Sequence, residues 1–176
     1  MYKIIEKRKL APQIFLMDIE APRVAKSAKP GQFVIIKMDE KGERIPLTIS
    51  DYDAERGTVT IVVQTIGCST KEMEHYEVND SFLDFVGPLG QASELMSESV
   101  EELKNKKIVF IAGGLGTAPV YPQVKWLSEQ GVKADVIIGA KAKEYVIMEE
   151  EMKKVAGAVY PCTDDGSYGY KGLEIG

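Results

Sequence analysis

Two different rhythms of hydrophobic and polar residues divide the chain. Through residue 97 the apolar positions fall in short runs, at 2–7, 14–19, 33–38, 47–50, 58–64 and 81–86. Between them stand Pro12, Pro22, Pro30 with Gly31, Lys41 with Gly42, Gly57, and Gly87 with Pro88. These supply fixed or positive backbone torsions where the chain must reverse. Several short strands at this spacing predict a closed barrel or a sandwich. One helix interrupts them, over 69–76 behind Gly67, with Ser69 or Thr70 as its cap.

After the polar stretch SELMSESVEELKNKK the rhythm changes. KIVFIA, at 107–112, is continuously apolar after its first residue and rich in β-branched side chains, as a parallel strand buried on both faces requires. A helix is predicted over 118–129, a second buried strand over 134–139, a helix over 143–155 and a third strand over 158–161. Strand, helix, strand, helix, strand is the doubly wound half-sheet. The expected organisation is therefore an antiparallel β-barrel over 1–97 followed by a parallel-sheet α/β unit over 98–176. Three strands are few for that class, and TDDGSYGYKG reads as a loop toward an element the chain does not supply. The α/β unit is accordingly expected to be incomplete.

Composition narrows the picture. In 176 residues, 44% are hydrophobic, 28% are charged and the formal net charge is -5, which describes a globular chain and excludes nucleic acid as the expected partner. No apolar run reaches the roughly 18 residues of a spanning helix, and MYKIIEKRKLAPQ lacks the apolar core of a signal peptide, so the expected location is the cytoplasm, with no membrane partner. Cys68 and Cys162 lie far apart and outside any C-x-x-C pair, which suggests neither a disulfide framework nor a zinc site.

Three stretches carry candidate chemistry. GGLGTAPVYP (113–122) places Gly113, Gly114 and Gly116 where a buried strand meets a helix, a junction whose free N–H groups and dipole favour a phosphate. Pro119 breaks the G-x-G-x-x-G pattern but suits a first helical turn; a simple structural turn is the alternative. RIPLTIS (44–50) sets a cation, a proline and two hydroxyls along one strand, suited to a pyrophosphate and a ring nitrogen, or simply structural. GCST (67–70) is a second glycine turn into a helix, able to hold a phosphate or only to cap. The single histidine, His75, falls on the barrel helix and reads as a surface residue.

Taken in order, PGQF (30–33), RIPLTIS, GCST, GPLG (87–90), GGLGTAPVYP and CTDDGSYGYKG (162–172) resemble the ferredoxin-NADP reductase superfamily over essentially the whole chain. The likeness is closest to the branch of small flavin-carrying subunits of NADH-dependent reduced ferredoxin:NADP oxidoreductases, with the electron-transfer subunits of dihydroorotate dehydrogenase as near sisters. The resemblance implies a flavin-binding barrel followed by a Rossmann-like nicotinamide-binding domain.

By position, it implies FAD contacts from Leu47, Thr48 and Ile49, with Thr48 at the flavin edge and Leu47 in place of an aromatic residue. The family's arginine falls on Ile45, one residue after Arg44, and a one-residue step reverses the face of a strand. Gly67, Ser69 and Thr70 match the turn that holds the FAD pyrophosphate through backbone N–H groups. Gly114, Gly116, Thr117 and Pro119 match a G-x-G-x-A-P nicotinamide-dinucleotide turn, and Asp164, Asp165 and Gly166, with Ser167, a loop beside the nicotinamide. NAD(H) is implied, although Lys141 and Lys143 follow the second buried strand where an acidic residue would take a ribose hydroxyl. Relatives carry a [2Fe-2S] centre on a cysteine cluster that has no counterpart among these 176 residues. The implied role is electron transfer between NAD(P)H and an iron-sulfur chain, with a larger iron-sulfur flavoprotein subunit or ferredoxin as partner. The alternatives are a non-catalytic flavin-binding or partner-binding module and a reductase acting alone.

Overall fold

The computed structural model describes residues 1–172. The chain forms two compact units that part between Ala92 and Ser93. Among the described residues no helix is long and apolar enough to cross a membrane.

The first unit contains strands β1 (Tyr2–Ala11), β2 (Ile14–Glu20), β3 (Phe33–Lys37), β4 (Arg44–Asp53), β5 (Thr58–Gln64), β6 (Ser81–Phe82) and β7 (Asp84–Leu89), with helices α1 (Pro22–Ser27) and α2 (Cys68–Glu74). Their order in the sheet is β6-β1-β2-β5-β4-β3-β7, with every pairing antiparallel. The two end strands, β6 and β7, are separated in the chain by Leu83 alone. A sheet whose ends are one residue apart must curl upon itself, and the result is the expected barrel. Its interior is filled by alternate residues: Phe15, Met17 and Ile19 of β2, Val34 and Ile36 of β3, and Val59, Ile61 and Val63 of β5.

Three expectations for this unit are corrected. A second helix is present: Pro22 opens α1 rather than marking only a turn, because a proline at the first helical position loses no hydrogen bond, and Val24 and Ala25 bury into the barrel core. The single strand expected over 81–86 is two, since Leu83 leaves the β1 ladder and donates its N–H to Met38 O at 3.1 Å. The cap of α2 is Gly67, not Ser69 or Thr70.

The second unit contains α3 (Val100–Lys104), β8 (Val109–Gly113), α4 (Thr117–Glu129), β9 (Asp135–Ala140), α5 (Glu149–Val155), β10 (Val159–Thr163) and β11 (Tyr170–Lys171). The four strands pair in parallel in the order β11-β10-β9-β8. Ser99 caps α3 reciprocally: its hydroxyl accepts from Glu102 N–H at 3.2 Å, and the Glu102 carboxylate accepts from Ser99 N–H at 3.0 Å. Leu103 then packs with Leu127, Val132 and Ala134. Along β8, Ala112 is buried whereas Val109 and Ile111, on the other face, are 47% and 52% exposed.

Here the helix expected over 143–155 is shorter. A 3-10 turn covers Lys143–Tyr145, and α5 begins only at Glu149 because Met148 adopts a left-handed backbone at φ 58°. That kink sends Ile147 and Met148 into the core, at 2% and 5% exposure. The sheet has four strands rather than three, because Tyr170–Lys171 of TDDGSYGYKG form β11 beside β10.

Candidate functional site

In the barrel, the strand β4 sorts its side chains by parity. Thr48 lies opposite Phe33, Pro46 opposite Ile35 and Arg44 opposite Lys37, so Arg44, Pro46 and Thr48 share the outer face. Ile45 and Leu47 pack against the core, and Ile49 is fully buried within it. Arg44 thus points to the same side as Thr48, while the side chains of Leu47 and Ile49 turn inward. The Arg44 guanidinium reaches across β3 and donates to Asp84 Oδ2 of β7 at 2.8 Å. That hydrogen bond holds the Asp84 carboxyl below the usual carboxylate range.

The glycine turn before α2 lies beside the start of β4. Ser69 Oγ donates to the Glu43 carboxylate at 2.8 Å, which ties the turn to the residue just before RIPLTIS, 26 positions earlier in the chain. Thr70 Oγ1 accepts the N–H groups of both Ile66 and Gly67 at 3.0 Å. The donors left without an intrahelical partner are therefore the first-turn N–H groups of Cys68, Ser69 and Thr70. A Cβ added at Gly67 would meet no atom within 4 Å, so the turn has free space beside it. Glu43 is a contribution the motifs did not announce: a carboxylate at the mouth of a turn suited to an anion. His75 is the exposed C-cap of α2, its Nδ1 2.8 Å from Lys71 O. It lines a shallow groove with Glu72, Tyr76, Asp80 and Ser81. Burial, and then Asp39, Glu72 and Asp80, push the Tyr76 phenol up.

In the α/β unit, β8 ends at Gly113, a 3-10 turn covers Gly114–Gly116, and α4 begins at Thr117. Gly114 takes φ 53°, a left-handed conformation that favours glycine, and a Cβ at Gly114 or Gly116 would meet nothing within 4 Å. Pro119 occupies the third helical position, where its missing N–H costs no hydrogen bond. Thr117 is fully buried, and its hydroxyl has no hydrogen-bond partner among the described residues. Buried hydroxyls are normally satisfied, so an orphan beside an open glycine turn marks a place where an incoming acceptor or donor would be welcome.

The residues 164–166 follow β10 at the same carboxyl edge of the sheet, which is where open α/β sheets bind ligands. Asp164 N–H donates to Ala140 O at 3.0 Å and Asp165 N–H to Lys141 O at 3.3 Å, while Gly166 turns at φ 73°. The Asp165 carboxylate accepts the Ser167 N–H at 2.9 Å. Hydrogen bonds from the Ser167 hydroxyl and N–H keep it below the usual carboxylate range.

No family model matches the chain. It is 62% identical over 172 residues to an uncharacterized protein in the adh 3' region of Clostridium beijerinckii, covering 98% of this chain and 58% of that protein. It is 42% identical to a homolog of the electron transfer subunit of dihydroorotate dehydrogenase B (NAD(+)) from Thermotoga maritima, covering 97% of this chain and 58% of that one. The solved structure of an NADH-dependent reduced ferredoxin-NADP oxidoreductase, described for flavin-based electron bifurcation, superposes with a TM-score of 0.86 at 39% identity, over 98% of this chain and 59% of that one. The chain thus spans less than two thirds of the length of each. A ferredoxin-NADP+ reductase from Plasmodium falciparum, at 14% identity and a TM-score of 0.73, shares the fold. The architecture is that of the ferredoxin-NADP reductases, an antiparallel barrel followed by a parallel α/β sheet.

Proposed function

We propose that this chain binds FAD and a nicotinamide dinucleotide and serves as an electron-transfer flavoprotein between NAD(P)H and an iron-sulfur chain or ferredoxin. The observation that carries the reading is Thr117, whose buried hydroxyl lacks a partner behind a left-handed glycine and an open turn. A closed core has no use for such a group; a pyridine-nucleotide site does. The likeness to proteins described as electron transfer subunits supports the rest.

In this reading Arg44 and Thr48 face FAD from the barrel, with the backbone at Leu47 and Ile49 alongside. Gly67, Ser69 and Thr70 supply the pyrophosphate turn. Gly114, Gly116, Thr117 and Pro119 form the dinucleotide cradle, and Asp164, Asp165 and Gly166 border it. FAD held there would supply hydride exchange with nicotinamide and one-electron transfer to partners. The chain's own residues bind and orient; hydride exchange asks no side chain for a proton. A [2Fe-2S] centre does not fit this chain's donors, since it needs four thiolates and only Cys68 and Cys162 are present. The electron-transfer partner in this reading is a larger iron-sulfur flavoprotein subunit or ferredoxin. The reading puts this work in the cytoplasm.

Reconstitution with FAD followed by anaerobic NADH addition tests the reading. Yellow protein whose flavin absorbance bleaches with NADH is the expected result. Protein that stays colourless sinks it. Yellow protein that NADH leaves unchanged reduces the chain to a flavin-binding module.

A further inference from the structure

The carboxyl ends of β9 and β10 carry two loops, residues 141–145 and 164–169, that are braced into one body. Lys143 N–H donates to Ser167 Oγ at 2.9 Å, Asp165 N–H donates to Lys141 O at 3.3 Å, and the Tyr168 hydroxyl donates to the Glu149 carboxylate at 2.6 Å. The Lys143 ammonium stands 5.3 Å from the centre of the Tyr168 ring. At the root of the second loop is Thr163, fully buried. Its hydroxyl donates to Tyr168 O at 2.7 Å and accepts from Tyr168 N–H at 3.1 Å, so both backbone polar groups of a residue five positions on are held by one side chain. Its carbonyl accepts from Gly166 N–H at 3.2 Å and Gly172 N–H at 2.9 Å. The loop closes tightly: Gly169, at φ 61°, leaves no room for a Cβ, which would stand 2.1 Å from Pro161 O.

A surface loop rich in glycine and aspartate is ordinarily mobile, and a ligand that fixes it spends affinity on ordering it. Here the ordering is internal. We propose that Thr163 is a positioning residue for dinucleotide binding: its buried hydroxyl pins Tyr168 and so presets the backbone of residues 164–166 at the strand edge before the ligand arrives. The inference rests on the nicotinamide reading above, and it concerns a residue of CTDDGSYGYKG to which the resemblance gave no role.

The test is calorimetric titration of the purified chain with NADH and with NADPH, using wild type, Thr163→Val, Thr163→Ser and Tyr168→Phe. Thr163→Val keeps the shape and removes both hydroxyl bonds; its Kd for the bound dinucleotide is expected to rise about tenfold, with the loss in binding entropy. Thr163→Ser restores the hydroxyl and is expected to stay within about threefold of wild type. Tyr168→Phe keeps the backbone bonds and gives up only the Glu149 contact, so a rise of about two- to threefold is expected. Wild-type affinity in Thr163→Val overturns the positioning role alone. A wild type that binds neither dinucleotide overturns the nicotinamide reading and this inference with it. Hydrogen exchange on the unliganded wild type covers the case of a variant that does not fold: slow amides at Gly166 and Tyr168 are expected, and exchange at random-coil rates overturns the preset loop.

Discussion

Replacing Thr117 with valine should make the protein more stable and a poorer binder at once. Valine matches threonine in shape, so the core at the start of α4 stays filled, while the hydroxyl that finds no partner is removed. An unsatisfied buried polar group costs about 1–3 kcal/mol, so Thr117→Val is expected to stabilise the unliganded α/β unit by about 1 kcal/mol or more. With a urea slope of about 1–3 kcal/mol/M, that moves the unfolding midpoint up by about 0.3–1 M. Trp126, the chain's single tryptophan, lies in α4 against the cluster of Leu103, Leu127, Val132 and Ala134, so its fluorescence reports on this unit directly. The loss of one hydrogen bond to the ligand, worth about 0.5–1.5 kcal/mol, weakens NADH binding by about 2- to 12-fold. A valine variant with a lowered midpoint would show that the hydroxyl has a partner in the folded chain. Unchanged NADH affinity in a folded variant would show that the ligand does not use it. Only the opposed pair of shifts agrees with a buried hydroxyl that gains its partner when the ligand binds.

Glu43→Gln should tighten FAD binding, because it removes a charge from the turn at Ser69 while keeping a hydrogen-bonding end; at exposed dielectric the repulsion of a phosphate some 4 Å away is about 1 kcal/mol, or about fivefold in Kd. Flavin fluorescence titration at low and high salt checks this, and weaker binding in the variant would mean that Glu43 helps to shape the site. For Asp165 the pH dependence has a definite sign. Its carboxyl is held below the ordinary value by Ser167, so the ionised form's support of the loop is complete above the unfolded carboxylate pKa of about 3.9 and is lost only as pH falls through the lower folded value. NADH affinity should therefore show no Asp165 step between about pH 7 and about pH 4, whereas in Ser167→Ala the step moves up toward the ordinary carboxylate range. A step near neutral pH in the wild type that vanishes in Asp165→Asn would contradict this.

The barrel and the parallel sheet were legible because short runs punctuated by turn residues fill one half, whereas apolar runs alternate with helical stretches in the other. What was illegible depended on tertiary context. Pro22 reads as a breaker in any local window, yet it opens a helix because Val24 and Ala25 find a core to enter. Nothing in the run 143–155 announces a break, but burying Ile147 and Met148 together requires the left-handed backbone at Met148. The same holds for chemistry. The glycine turns are visible as motifs, whereas the orphaned hydroxyl of Thr117, the Glu43 carboxylate at Ser69 and the pin at Thr163 arise from pairings between residues that the linear chain does not advertise.

The single-residue joint at Leu83 fixes when the barrel can form. Closure pairs Tyr2 with Phe82, contacts as far apart in sequence as the unit permits, so the ring cannot shut during synthesis until residue 82 has left the ribosome. Until then β1 waits with one edge open, the situation in which nascent strands find the wrong partner. That strand carries Lys3, Lys7, Arg8 and Lys9, the charges that discourage stray pairing, so the most basic strand of the barrel is also the one longest exposed to accident.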